Sequence, residues 1–326
     1  MSFTKIASMV FTINFQQLSK KDVGIAGGKG ASLGEMTMVG ISVPPGFVVL
    51  ASAFDRFLEE TDIDVEIEAI FHKVKHGDMN SVELASEKIR ALILSAKMPS
   101  DLQKEIIHEF GKLKCPLVAV RSSATAEDSS TTSWAGELES YLNTNKKTIL
   151  ENVKKCWASL FTPRAIFYRF EKRMHKTKVS VAVVIQKMIQ SEVSGICFTV
   201  HPVTKDYDQM VVEAGYGLGE AIVGGKITPD AYVIRKPKRK IKEEFEILDK
   251  NISEQKMMII RSKSGTKEIG VPKARQSKQK ISDKQIKSLS KVCYNIEKYY
   301  NYPQDIEWAL DKNKFYIVQS RPITTL

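Results

Sequence analysis

The sequence predicts a mixed α/β (α+β) protein built as two lobes. In residues 1–178, short apolar runs alternate with segments whose apolar side chains recur at helical spacing. Residues 179–326 are dominated by β-branched runs separated by turn residues. The length of 326 residues is enough for two cores, so the expected domains are 1–178 and 179–326. A composition of 43% apolar and 27% charged residues belongs to an ordinary globular chain.

Taken in order, "MSFTKIASMVFTINF" is mildly apolar but broken by Thr, Ser and Asn, and it lacks a small-residue cleavage site, so it does not read as a signal peptide. Lys29 to Val39 is helical by the spacing of Leu33, Met36 and Val39, and Pro44-Pro45-Gly46 then turns the chain into the strand "FVVL". A helix over 81–97 places Val82, Ala85, Ile89, Leu92, Ile93 and Ala96 on one stripe. Pro99 ends it, and a second helix carries Leu102, Ile106, Ile107 and Phe110. "PLVAV" (116–120) is wholly apolar and reads as a buried strand, and 146–161 as another amphipathic helix. In the second lobe "VSVAVVIQKMI", "SGICFTV", "QMVVEA" and "AYVIR" are successive strands. A lysine-rich connection, a helix over 282–300 and a terminal hairpin follow.

Several function classes are excluded. Cys115, Cys156, Cys197 and Cys293 form no CxxC pair and no histidine stands at metal-ligand spacing, which argues against zinc and against a disulfide framework and suits a reducing cytoplasm. No segment is long enough to span a membrane. The net charge of +11 gathers in "RKPKRKIK" (235–242) and in 261–287, but without interleaved aromatics or a nucleic-acid motif, so a nucleic-acid partner is not expected. His72, His76, His108, His175 and His201 form no cluster.

Three stretches could carry chemistry. "GIAGGKGASLGEM" (24–36) sets Lys29 among glycines at the start of a helix, where backbone amides and the helix dipole favour an anion. It is not a Walker A loop, because Val23 and Gly30 stand where that motif needs Gly and Ser or Thr. "VAVRSSATAEDSSTTSWAGE" (118–137) delivers Arg121 from the end of a buried strand into a hydroxyl-rich run, an arrangement suited to phosphate, or else to pairing with Glu127 or Asp128. "EAGYGLGEAIVGGKITPD" (213–230) is glycine-rich but fails the dinucleotide fingerprint at Glu220.

The terminal hairpin "DIEWALDKNKFYIVQSRPI" (305–323) carries Asp305, Glu307, Gln319 and Arg321 among apolar and aromatic residues. Opposed residues of an antiparallel pair share a face. A three-residue loop at Lys312–Lys314 opposes Glu307 to Gln319 and Asp305 to Arg321, leaving Trp308, Leu310, Ile317 and Val318 for packing. A two-residue loop opposes Glu307 to Val318 and scatters the polar set.

With these segments in order, the chain resembles the N-terminal ATP-binding domain of the phosphoenolpyruvate synthase, pyruvate phosphate dikinase and rifampicin phosphotransferase family. The resemblance runs from about residue 16 to residue 323. It is carried by "GGKGASLGEM", "VPPGFVV", "VAVRSSATAED", "SWAGELESYLN", "KCWASLFTPRAIFYR", "VIQKMI", "SGICFTVHPVT", "GYGLGEAIVGGKITPD", "PQDIEWAL" and "YIVQSRPIT". It implies an ATP-grasp-like fold with ATP between two lobes and Mg2+ on its phosphates. Lys29 and Arg121 would hold phosphates, and the loop with Thr131, Thr132 and Gly136 would fold over them. Gln186, Lys187 and Met188 would lie near the adenine. Glu307 and Gln319 would bind the metal, and Arg321 would contact the phosphate being transferred. The resemblance selects the three-residue hairpin loop.

The implied reaction moves the β,γ-pyrophosphoryl unit of ATP to a histidine and leaves AMP; phosphate is then lost, and the remaining phosphohistidine phosphorylates an acceptor such as pyruvate. The family continues after "SRPIT" into a swivelling domain with a GGxxxH-type histidine, which this sequence lacks. The expectation is therefore a split subunit or a piece of a longer enzyme, performing the ATP half-reaction with its histidine supplied in trans. "DSSTTSWAG" also departs from the Leu-Pro-containing loop of synthase-like members. A catalytically idle regulatory nucleotide-binding module is the alternative, and an ATP-grasp ligase, which would release ADP, a more distant one.

Overall fold

A computed structural model describes residues 10–75, 77–125, 139–172, 180–237, 244–262 and 265–324. The chain divides into two compact units, Met1–Glu35 with Pro45–Lys187, and Met36–Pro44 with Met188–Leu326.

The first unit is built on a five-stranded antiparallel sheet in the order β1-β2-β5-β3-β4. Its strands are β1 (Thr12–Asn14), β2 (Gly46–Val49), β3 (Val118–Ala124), β4 (Ser140–Thr144) and β5 (Val181–Lys187). Helix α1 (Val23–Met38) precedes β2. Helices α2 (Ala51–Glu60), α3 (Ile63–Phe71), α4 (Met79–Ser95) and α5 (Ser100–Lys112) separate β2 from β3. Helices α6 (Ile149–Ala158) and α7 (Pro163–Glu171) separate β4 from β5.

Alternation along the strands sorts the two faces of this sheet. Val118, Val120, Val181, Val183 and Ile185 join one core with Phe54, Phe57, Ile89 and Trp157 from the helices. Each such large apolar side chain contributes about 1.5–3 kcal/mol when fully buried. α4 forms because Val82, Ala85, Ile89 and Ile93 repeat at helical spacing, and Asp78 accepts a hydrogen bond from the Asn80 N–H at its start.

The second unit is a six-stranded antiparallel sheet in the order β13-β12-β6-β7-β8-β9. It comprises β6 (Val193–Phe198), β7 (Gln209–Tyr216), β8 (Asp230–Arg235), β9 (Glu246–Asn251), β12 (Gln304–Asp311) and β13 (Lys314–Pro322). The short helix α8 (Glu220–Val223) follows β7, and a separate hairpin of β10 (Met257–Ser262) and β11 (Gly265–Gly270) buries Ile259 against Leu218 and Ala221. α9 (Lys273–Gln276) leads to α10 (Asp283–Tyr300). α10 opens with a reciprocal Ser282–Gln285 capping box, buries Ile286, Leu289, Cys293 and Ile296, and stops at Asn301 in the left-handed region. It packs against β7, β9 and β12.

Residues 36–44 join this second unit because the Ile317 N–H donates to the Ser42 carbonyl (2.9 Å). At the start of β8, Asp230 and Lys280 form a fully buried ion pair at 2.8 Å. The Asp230 carboxylate also accepts from Tyr232 Oη, the Ser253 N–H and the Lys280 N–H, so the buried charge is well compensated.

Candidate functional site

In the first unit the glycine-rich stretch is helical, with a break. Gly27 has φ +68° and ψ 170° inside α1, so Lys29 falls in the first turn after a kink. That kink is held from the sheet: Ser123 Oγ donates to the Ala26 carbonyl (3.1 Å) and accepts from the Gly30 N–H (3.3 Å). Gly27 is required here twice over. Its backbone is left-handed, and a Cβ would collide with the Ser123 hydroxyl and carbonyl. Lys29 itself is half-buried.

Arg121 lies in the middle of β3, since the strand continues to Ala124 rather than ending at residue 120. It is half-buried and pairs with Val184 of β5. Register places Ala119, Arg121, Ser123, Val184 and Gln186 on one face of the sheet, opposite to the apolar core. Gly27 and Gly30 of α1 approach that face at Ser123 and Val48. The two phosphate candidates thus belong to elements that meet on one side of one sheet. Gln186 is 3% exposed, and its Nε2 has no hydrogen-bond partner. Such an orphan buried donor costs about 1–3 kcal/mol. Lys187 ends β5 and Met188 begins the second stretch of the other unit. Thr131, Thr132 and Gly136 lie outside the described residues, as do Glu127 and Asp128.

In the second unit the hairpin pairs Asp305 with Arg321 and Glu307 with Gln319. The loop that achieves this is not the three-residue one expected. Asp311 pairs with Lys314, so only Lys312 and Asn313 form the turn, and both are left-handed (φ 48° and 61°). Left-handed residues at both positions make a tight turn whose twist suits the flanking strands. The pairing then shifts between Glu307 and Trp308, where Val318 is the extra residue of a β-bulge. The bulge moves the register by one and restores the polar pairs that a two-residue loop alone would scatter. Trp308, Leu310 and Ile317 are buried as expected, and Val318 only partly.

Both Nε and Nη2 of Arg321 donate to Asp305 Oδ2, at 2.9 and 2.7 Å, which fixes the plane of the guanidinium. Burial raises the Asp305 carboxyl above its usual range, with Arg321 opposing that shift and Glu307 adding to it. Sequence reasoning missed Glu213 of β7. Its half-buried carboxyl is raised first by burial and then by the charge of Asp305. It was legible only as one acidic residue in a β-branched run, because its placement depends on the strand order β12-β6-β7. Ser123 was likewise visible only as one of many hydroxyl residues.

Glu307 and Gln319 offer oxygen ligands of the kind a hard cation takes. Among the described residues no group of three or more His, Cys, Asp or Glu side chains could hold a metal alone. The donor set fits Mg2+, which takes much of its shell from water and substrate phosphates.

The two antiparallel sheets with their helices make a mixed α/β protein, and the family it matches places it in the ATP-grasp-like nucleotide-binding class. The profile described as "Pyruvate phosphate dikinase, AMP/ATP-binding domain" matches residues 23–326, and the chain belongs to that family. It is 46% identical, over 99% of its length, to a probable phosphoenolpyruvate synthase of Methanocaldococcus jannaschii. It is 40% identical, over 96%, to phosphoenolpyruvate synthase of Pyrococcus furiosus, and 37% identical, over 96%, to rifampicin phosphotransferase of Bacillus subtilis. The chain spans only 27%, 43% and 36% of those three relatives. Among the described residues no helix is long and apolar enough to cross a membrane.

Proposed function

We propose that this chain binds Mg2+-ATP and performs the ATP half-reaction of a dikinase-type phosphotransferase, passing the β,γ-pyrophosphoryl unit to a histidine on a separate domain or subunit and releasing AMP. The final acceptor would be a small molecule such as pyruvate, and the reducing cytoplasm that the free cysteines favour would be its compartment. The observation that carries the reading is the bulged register of β12 and β13, which opposes Glu307 to Gln319 and Asp305 to Arg321 on a rigid hairpin.

In this reading Lys29 and Arg121 hold phosphate oxygens, and Gln186, Lys187 and Met188 serve the adenine. Thr131, Thr132 and Gly136 belong to the loop over the phosphates. Glu307 and Gln319 hold Mg2+, which when bound neutralises phosphate charge. Arg321, oriented by Asp305, stabilises charge on the transferring group. None of these side chains forms a covalent bond; they position the substrate and offset its charge.

The product test is direct. The chain is mixed with [β-32P]ATP and a recombinant histidine-bearing domain from a phosphoenolpyruvate synthase relative, and the nucleotide product is resolved. AMP together with label on the histidine domain is expected, and Arg321→Lys should slow its formation. ADP as the sole product would overturn the pyrophosphoryl reading and favour ligase-type chemistry.

A further inference from the structure

We infer that Ser123 is a positioning residue for the phosphate end of the nucleotide. Its hydroxyl is inserted into a helical hydrogen bond of α1 and keeps that helix broken ahead of Lys29. The inference rests on the ATP-site reading above, and it adds a residue that acts through α1 rather than on the nucleotide.

In an unbroken α-helix each N–H donates to the carbonyl four residues earlier, so the Gly30 N–H would donate to the Ala26 carbonyl. These are the two groups that Ser123 Oγ holds. It accepts from the Gly30 N–H at 3.3 Å and donates to the Ala26 carbonyl at 3.1 Å. A side chain inserted into the helical ladder in this way is a recognised cause of a kink. The break itself is at Gly27, between the two partners. Ala26, Gly30 and Ser123 are all buried, so without the hydroxyl neither backbone group has water to turn to. Each is then satisfied by the other, and Gly27, free to take a helical conformation, lets the helix close.

Packing decides which part moves. After the break, a Cβ on Gly30 would press on Val48 and one on Gly34 would collide with Leu18, so residues 28–38 are seated against their neighbours. Before the break, Gly24 has open space around it and Ile25 is 44% exposed. Closing the bond therefore winds residues 23–26 onto the seated part. The turn that carries Lys29 then lies inside a helix instead of at its start. A helix start is electropositive and its interior is not, so that turn loses its attraction for phosphate. Ser123 stands two residues after Arg121 on β3 and faces the same way, so one strand sets both phosphate candidates.

Calorimetry of the full chain with Mg2+-ATP and with adenosine, for wild type and Ser123→Ala, tests this. Ser123→Ala should bind ATP roughly 10- to 100-fold more weakly, the size of a lost hydrogen bond to a charged group. Adenosine, which has no phosphate, should bind as it does to the wild type. A hydroxyl that served stability alone would move both ligands or neither. Ser123→Cys keeps a weak donor and acceptor in the same place and should show the same split with a smaller loss; it carries the test if the alanine variant does not fold. A folded variant whose ATP affinity is undiminished, or which loses ATP and adenosine alike, overturns the role of Ser123 and leaves the nucleotide site standing. A folded wild type that binds neither ligand overturns both readings.

Discussion

At the scale of single residues, the candidate site depends on positions that look unremarkable in the sequence. Gly27 is one of several glycines around Lys29, and only the kink shows that it alone is left-handed and pressed against Ser123. Gly27→Ala is therefore expected to cost about 1–3 kcal/mol in urea unfolding, and to weaken ATP binding even though Lys29 is retained. The neighbouring Gly24→Ala has open space around it and should be silent by both measures. The second residue-scale prediction concerns the core of the other unit. Asp230→Asn leaves the buried Lys280 ammonium without its counter-charge and should lower stability by about 3–5 kcal/mol in the same assay. Neither residue could be singled out beforehand: burial of a charge, like a positive φ, is settled by neighbours far away in the chain.

At the scale of elements, the helices with strong apolar stripes were readable, because a helix buries one face whatever it packs against. α4 runs from Met79 to Ser95 against a predicted 81–97, and α10 from Asp283 to Tyr300 against 282–300. The hairpin was half readable. Its polar pairs were correct, yet the turn has two residues and Val318 bulges. Two compensating irregularities give the same pairing as one longer loop, and parity alone cannot tell them apart. The turn also yields a prediction. Lys312 adopts a left-handed conformation that Asn accepts more readily, so Lys312→Asn should raise stability by about 0.5–1 kcal/mol in chemical denaturation. Mg2+-ATP affinity should be unaltered, since the metal candidates lie several residues away along both strands. Arg121 shows the opposite limit: an apolar run marks where a strand is buried and not where it stops, and β3 continues through Ser122 and Ser123.

At the scale of the whole molecule, the change of composition near residue 179 was legible, but the order of strands was not. The first strand after that change, β5, is the middle strand of the first sheet, between β2 and β3. Local pattern cannot say which sheet a β-branched run will complete. The four cysteines give a test of the packing in both units. Cys156, Cys197 and Cys293 are buried, and burial pushes the Cys156 and Cys197 thiols far up. Cys115 is only partly covered. Thiol titration of the folded chain should consume Cys115 alone, and slowly because burial raises its pKa too, with the other three reacting only on unfolding.

The central proposal is that Lys29 of the glycine-rich helix and Glu307 of the bulged hairpin each contribute to the binding of Mg2+-ATP. The measurement that bears on it most directly is ATP binding by calorimetry, with and without Mg2+, for wild type, Lys29→Ala and Glu307→Ala. The account predicts that Mg2+ tightens binding to the wild type, that Lys29→Ala loses roughly 10- to 100-fold under both conditions, and that Glu307→Ala loses the response to Mg2+ while keeping the Mg2+-free affinity. A folded wild type that does not bind ATP, or a Glu307→Ala variant with an undiminished Mg2+ response, would contradict it.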